Sequence, residues 1–148
     1  DGKKDLAVGA YGIGYIYFHY GSTGGLSPFY SAPAALFVHE LTYGYSFVAC
    51  DFSNDGFPDL VVSWRNSNSS MGSVWIYSNS GGSWTRTATI WGTVASGTYG
   101  YTSACGDVNG DGNVDLVVGA NGEAKIYVYY GTGNIATLPV TPNVTLTG

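Results

Sequence analysis

The residues of this 148-residue chain that could do chemistry are its aspartates. Eight of the ten acidic residues fall in three short stretches: Asp1-Gly-Lys-Lys-Asp5, Asp51-Phe-Ser-Asn-Asp55-Gly-Phe-Pro-Asp59 and Asp107-Val-Asn-Gly-Asp111-Gly-Asn-Val-Asp115. Carboxylates placed at alternate positions around a glycine repel one another, and a bound cation relieves that repulsion. Calcium takes roughly six to eight oxygen ligands, and a loop can wrap one ion with side-chain donors at positions 1, 3 and 5, a backbone carbonyl at 7 and a further donor at 9. The second stretch supplies Asp51, Ser53, Asp55, the carbonyl of Phe57 and Asp59; the third supplies Asp107, Asn109, Asp111, the carbonyl of Asn113 and Asp115. Gly56 and Gly112 stand at position 6, where the chain must turn sharply.

The first stretch retains only Asp1, the carbonyl position Lys3 and Asp5, so two full Ca²⁺ sites and one half-site are expected. The missing ligands of the half-site would come from upstream residues or another chain. An EF-hand loop begins the same way but requires an acidic residue at position 12 inside a helix, where this chain has Val62 and Val118. Asp, Asn and Gly also make ordinary β-turns. Two full copies and a half copy in phase with a strand repeat favour the metal. A flexible all-protein oxygen cage suits Ca²⁺ better than Mg²⁺. Two Ca²⁺ ions would move the formal charge from −5 to about −1.

The elements that must hold these loops are strands. Asp5, Asp59 and Asp115 recur with periods of 54 and 56 residues, in the range of propeller blades. Each is followed by a short apolar run, at Leu6–Ala10, Leu60–Trp64 and Leu116–Ala120, whose length and β-branching predict a buried strand. Aromatic-rich strands are expected at Tyr15–Tyr20, Ser73–Ser78 and Ala124–Tyr130, and a further set around Ala35–Leu41, Trp84–Ile90 and Val144–Thr147. Tyr45–Cys50 and Tyr101–Cys105 precede the two full loops. The fold class is therefore all-β: propeller blades of four antiparallel strands, about 2.75 of them, forming a partial propeller. The blades are expected at residues 1–42 (lacking its innermost strand), 43–98 and 99–148. Such blades cannot bury both faces alone. The chain is expected to be a piece of a larger propeller, or a subunit that completes its ring as an oligomer or filament with other copies.

Composition narrows the function. Hydrophobic residues make up 45% of the chain, enough for a core, and charged residues only 10%, as in secreted β proteins. A net charge of −5 with scattered Lys and Arg excludes a nucleic-acid footprint, and no apolar run approaches the ~20 residues of a spanning helix, so membrane insertion is not expected. No nucleophile elbow, zinc spacing or phosphate loop is present, and nearly all carboxylates are committed to the loops, so the chain is not read as an enzyme. His19 and His39 are assigned packing or hydrogen-bonding roles.

The segment Asp107 to Ala120 resembles, almost throughout, the calcium loop and following strand of the FG-GAP repeats found in integrin alpha-subunit propellers and related secreted proteins. The family's Gly-Ala-Pro element appears as Gly9-Ala10-Tyr11 and Gly119-Ala120-Asn121, and as Ser63-Trp64-Arg65 in the second repeat. This resemblance implies a propeller with calcium loops joining the first and second strands of a blade on one face and partner-binding loops on the other. It also implies an extracellular, secreted or cell-surface setting and a role in adhesion, ligand binding or structural assembly. The alternatives are a carbohydrate-binding lectin and an accessory propeller of a larger secreted hydrolase.

On the partner face the candidate residues for a protein or glycan ligand are Arg65, Asn66, Tyr43, Tyr45, Trp91 and Tyr99. Trp64, Trp75, Trp84 and Trp91 are expected chiefly to fill the layers between blades. Asn68 and Asn143 open glycosylation tripeptides. Cys50 and Cys105 sit on innermost strands of adjacent blades with opposite parity, a candidate disulfide across the interface; two buried free thiols are the competing reading.

Overall fold

In the computed structural model of the chain, the described residues are 6–10, 15–19, 21–22, 25–26, 34–37, 46–81 and 83–148. They form thirteen strands in two compact units, Asp1–Gly44 and Tyr45–Gly148.

The first unit contains β1 (Leu6–Ala10), β2 (Tyr15–His19), β3 (Gly21–Ser22), β4 (Gly25–Leu26) and β5 (Ala34–Phe37). Strands β1, β2 and β5 make an antiparallel sheet in that order, with Val8 opposite Tyr17 and Tyr17 opposite Ala35. Ile16, Phe18 and His19 are buried on the middle strand, so His19 is placed within packing. The short β3–β4 hairpin was not expected from the sequence; its two-residue strands carry too little pattern to be read.

The second unit holds two four-stranded antiparallel sheets. One runs β6 (Ser46–Cys50), β7 (Asp59–Trp64), β8 (Ser73–Ser80), β9 (Ser83–Trp91); the other runs β10 (Tyr99–Gly106), β11 (Asp115–Ala120), β12 (Lys125–Tyr129), β13 (Val144–Thr147). Each sheet is ordered as its strands occur in the chain, the up-and-down arrangement of a propeller blade. The acidic stretches become the β6–β7 and β10–β11 turns. Their last aspartates already lie in the sheet, Asp59 opposite Cys50 and Asp115 opposite Gly106.

Alternation along each strand decides which side chains face the other sheet. Val61, Val74, Ile76 and Ile90 from the first sheet meet Tyr99, Leu116, Val118, Ala120 and Tyr129 from the second in one buried cluster. A bulge between Ile76 and Tyr77 leaves Thr87 unpaired on β9, and its hydroxyl donates to the Ile76 carbonyl at 3.2 Å. Ser63 and Ser103 hydroxyls meet across the same interface at 2.7 Å.

The tryptophans do not fill this layer. Trp64 and Trp75 lie on the opposite face of their sheet, edge to face at 6.3 Å, with the Arg86 guanidinium 4.3 Å above the Trp75 ring. Trp84 is half-buried and Trp91 is 50% exposed. The reason is parity: Val74 and Ile76 take the positions of β8 that face the second sheet, so Trp75 between them lies on the other face.

Candidate metal centre

Both acidic turns adopt the same hydrogen-bonded loop. At position 1, Asp51 accepts from Asp55 N (3.1 Å) and Ser53 Oγ (3.3 Å) with Oδ1 and from Gly56 N (2.8 Å) with Oδ2. Asp107 accepts from Gly110 N (2.7 Å) and Asp111 N (3.1 Å) with Oδ1 and from Gly112 N (2.9 Å) with Oδ2. At position 5, Asp55 accepts from Phe57 N (2.9 Å) and Asp111 from Asn113 N (2.8 Å). The backbone takes the left-handed region twice in each loop: at Asn54 (φ 56°) and Gly56 (φ 88°), and at Gly110 (φ 81°) and Gly112 (φ 87°). Glycine and asparagine tolerate that region best, which is why they occupy these positions.

Position 9 does a second job. Asp59 and Asp115 are fully buried. Asp59 accepts from Phe52 N (3.0 Å), Ser53 N (3.2 Å) and, across to β8, Asn79 N (3.0 Å). Asp115 accepts from Val108 N (2.9 Å) and Gly131 N (2.8 Å). Each carboxylate therefore ties its own loop to the end of the third strand of its sheet. Burial pushes the Asp59 carboxyl up; the N–H donors of Asn79 and Phe52 oppose that shift, and the nearby Asp55 charge adds to it. Asp111, fully exposed, is pulled down by the Asn113 N–H and by the Asn109 and Asn113 amides.

The side-chain donors at positions 1, 3 and 5, half-exposed or exposed, are Asp51, Ser53 and Asp55 in one loop and Asp107, Asn109 and Asp111 in the other, all oxygen-bearing and in the order a hard cation requires. Among the described residues no three His, Cys, Asp or Glu side chains already converge on a point that could hold a metal ion. The residue types, all oxygen donors, fit Ca²⁺. Asp1, Lys3 and Asp5 lie outside the described residues.

Two features of the loops were missed in reading the sequence. Phe52, at position 2, is 2% exposed and packs into the cluster with Ile135 and Leu138, whereas Val108 at the same position of the other loop is 57% exposed. An aromatic where the sister loop has an exposed valine was the available signal. The segment carrying Ile135 and Leu138 had none.

Cys50 and Cys105, immediately upstream of the two loops, are joined in a disulfide with a Cα–Cα distance of 6.5 Å. The free-thiol reading does not describe the structure, because opposite parity on facing strands turns both side chains into the interface.

At the other end of the sheets the loops 65–72, 92–98 and 121–124 are laced together. Gly92 N donates to Gly72 O (2.8 Å), Thr98 N to Ser70 O (2.9 Å), Tyr99 N to Met71 O (3.0 Å) and Gly122 N to Gly97 O (3.1 Å). Asn66 and Trp91 are exposed there, and the Arg65 guanidinium lies 5.2 Å from the Tyr101 ring centroid. Tyr99 is not available to a ligand: it is 2% exposed, and its hydroxyl donates to that of Tyr129 at 2.7 Å. Tyr43 and Tyr45 lie outside the described residues.

A crevice of about 220 Å³ nearby is lined by residues including Trp91, Glu123, Tyr127 and Tyr129. The Glu123 carboxylate accepts from Tyr127 Oη at 2.6 Å and Lys125 Nζ at 3.1 Å. Burial, the Glu123 hydrogen bond and the Glu123 charge together push the Tyr127 hydroxyl up to about 12. Asn68 and Asn143 are both exposed, but Asn143 Oδ1 is taken by Tyr130 N at 2.8 Å.

An FG-GAP-like repeat model matches residues 51–118 and an FG-GAP repeat model matches residues 99–138. The chain is 34% identical to human integrin alpha-7 across 61% of its own length and 8% of the relative's. It is 34% identical to chicken integrin alpha-6 across 63% and 9%. It is also 34% identical to human phosphatidylinositol-glycan-specific phospholipase D, across 81% of this chain and 17% of the relative. The chain thus spans a small part of each of these proteins.

Proposed function

The chain belongs to the FG-GAP repeat family, and from that premise we propose that it is an integrin-like propeller module that holds Ca²⁺ in its strand 1–2 loops and binds a protein ligand through the opposite face. Asp51, Ser53, Asp55, the Phe57 carbonyl and Asp59 would hold one ion, and Asp107, Asn109, Asp111, the Asn113 carbonyl and Asp115 the other. The observation that carries this reading is the repetition of one loop geometry, with oxygen donors at the same positions, in two neighbouring sheets. The ion would supply positive charge where three carboxylates crowd one turn. The chain's own residues do the rest: Asp59 and Asp115 anchor the loops, and Phe52 seats one of them in the core.

The setting is extracellular. A disulfide linking two sheets suits an oxidising compartment. No helix among the described residues is long and apolar enough to cross a membrane. Asn68, exposed in a polar turn, is the better placed glycan acceptor. The module is non-enzymatic on this reading: among the described residues every carboxylate but Glu123 lies in the acidic loops, and Glu123 is bound by Lys125 and Tyr127. Arg65, Asn66 and Trp91 are where a ligand would be met.

Thermal unfolding with and without a chelator tests the metal. At free Ca²⁺ about a hundredfold above Kd, each ion adds about 2.7 kcal/mol and the two together about 5.4, which raises Tm by roughly 11–22 °C for a chain of this size. A Tm indifferent to chelation removes the calcium reading. The match to the phospholipase D relative over 81% of this chain favours one second reading, an accessory propeller of a larger secreted hydrolase. The full-length transcript distinguishes the two.

A further inference from the structure

The two loops touch. Asn54 Nδ2 donates to Asn113 Oδ1 at 3.3 Å, and the Nδ2 of the same Asn113 carboxamide donates to Asp111 Oδ1 at 3.0 Å. Asn54 lies between the candidate ligands Ser53 and Asp55; Asn113 supplies the position-7 carbonyl of the other loop. A hydrogen-bonded chain thus runs from a carboxylate of one candidate site to the backbone turn of the other. Its floor is Gly133, where a Cβ would come within 2.9 Å of both Asn113 Oδ1 and Asn54 Nδ2. Its base is the Cys50–Cys105 disulfide, which joins the two strands that feed the loops.

We propose that the two loops bind their cations as a coupled pair, with Asn113 and Asn54 as the positioning residues that transmit occupancy from one to the other. This rests on the calcium reading above. Fixing Asp111 and the Asn113 carbonyl around an ion holds the Asn113 carboxamide in place. The carboxamide then holds Asn54, and with it the turn between Ser53 and Asp55. The second loop has less ordering left to do, so its affinity rises, and by linkage the effect runs equally in reverse. Repulsion between the two ions opposes this, but it does not depend on the Asn54 side chain. Removing that side chain therefore isolates the hydrogen-bonded contribution.

The test is isothermal titration of the whole chain with Ca²⁺ alone. Asn54→Gly keeps the left-handed turn, copying Gly110 at the same position of the other loop, and deletes the amide. The affinity of the 51–59 loop is measured with the other loop intact and with it disabled by Asp107→Ala, in the native and Asn54→Gly backgrounds. In the native background, disabling the neighbour should weaken the first loop by roughly two- to tenfold more than in Asn54→Gly, the worth of one hydrogen bond. Gly133→Ala, which displaces the amide pair from below, should reproduce the uncoupled result. Equal effects of Asp107→Ala in all three backgrounds overturn the coupling and leave the calcium reading standing. Absence of any Ca²⁺ binding by the native chain removes both.

Discussion

Replacing Cys50 and Cys105 together by serine removes the disulfide that cross-links the two sheets of the second unit. The bond closes a loop of 55 residues. In the chain-entropy treatment such a loop restricts the unfolded state by about 14 cal/mol/K, from 2.1 + 1.5R ln 55, or about 4 kcal/mol at 25 °C. The double serine variant should still fold, because Val61, Val74, Ile76, Leu116 and Val118 bury fully between the sheets without help from the sulfurs. Urea unfolding followed by tryptophan fluorescence, in constant Ca²⁺, should show a stability lower by about 4 kcal/mol and a somewhat steeper m-value, as the uncrosslinked unfolded chain exposes more surface. The corresponding fall in Tm is roughly 8–16 °C. A loss below about 1 kcal/mol with an unchanged m-value would refute the reasoning, since the unfolded chain would then have been no less restricted without the bond.

Three further outcomes are expected. Chelation should lower Tm as calculated above, and it should do so in the double serine variant as well, because the loops and the disulfide act on different states. Asp115→Ala, measured in chelator so that metal plays no part, should cost roughly 1.5–4 kcal/mol by leaving the Gly131 N–H unpaired at a buried position and the part-buried Val108 N–H to solvent; a loss under about 1 kcal/mol would deny Asp115 its clamping role. Tyr127 is raised to about 12, so the stability from its neutral hydroxyl is whole below the unfolded value near 10 and is lost as pH rises through 12. Tyr127→Phe should flatten the alkaline loss of stability between pH 10 and 12 without abolishing it, since burial also raises Tyr99 and Tyr129; denaturant titrations superimposing for the two proteins would contradict this.

Much of the architecture was legible along the chain. The strands of the second unit fall close to where apolar runs and turn residues put them, because a strand's existence depends on local pattern and its neighbours here are adjacent in sequence. The loops were legible for the same reason. Asp, Asn and Gly at fixed spacing specify a turn whose hydrogen bonds close within nine residues, and both copies close alike. Tyr99 was misread because it opens a strand next to exposed-looking glycines and threonines. Its register opposite Ala120 turns the ring inward, onto Tyr127 and Tyr129. The tryptophans, expected between blades, lie off the layer joining these two sheets because alternation along β8 gives its facing positions to Val74 and Ile76.

What the sequence determined by itself is the repeat, the all-β class and the addresses of the carboxylates, since each follows from contacts within one hairpin. Only the tertiary structure decided what lies between hairpins. It turned Cys50 toward Cys105, brought Asn54 onto Asn113 over Gly133, and buried Phe52 where its sister Val108 stays exposed. These depend on how one sheet is set against the next, an angle and offset fixed by the summed packing of a dozen side chains and written in no short stretch of the chain.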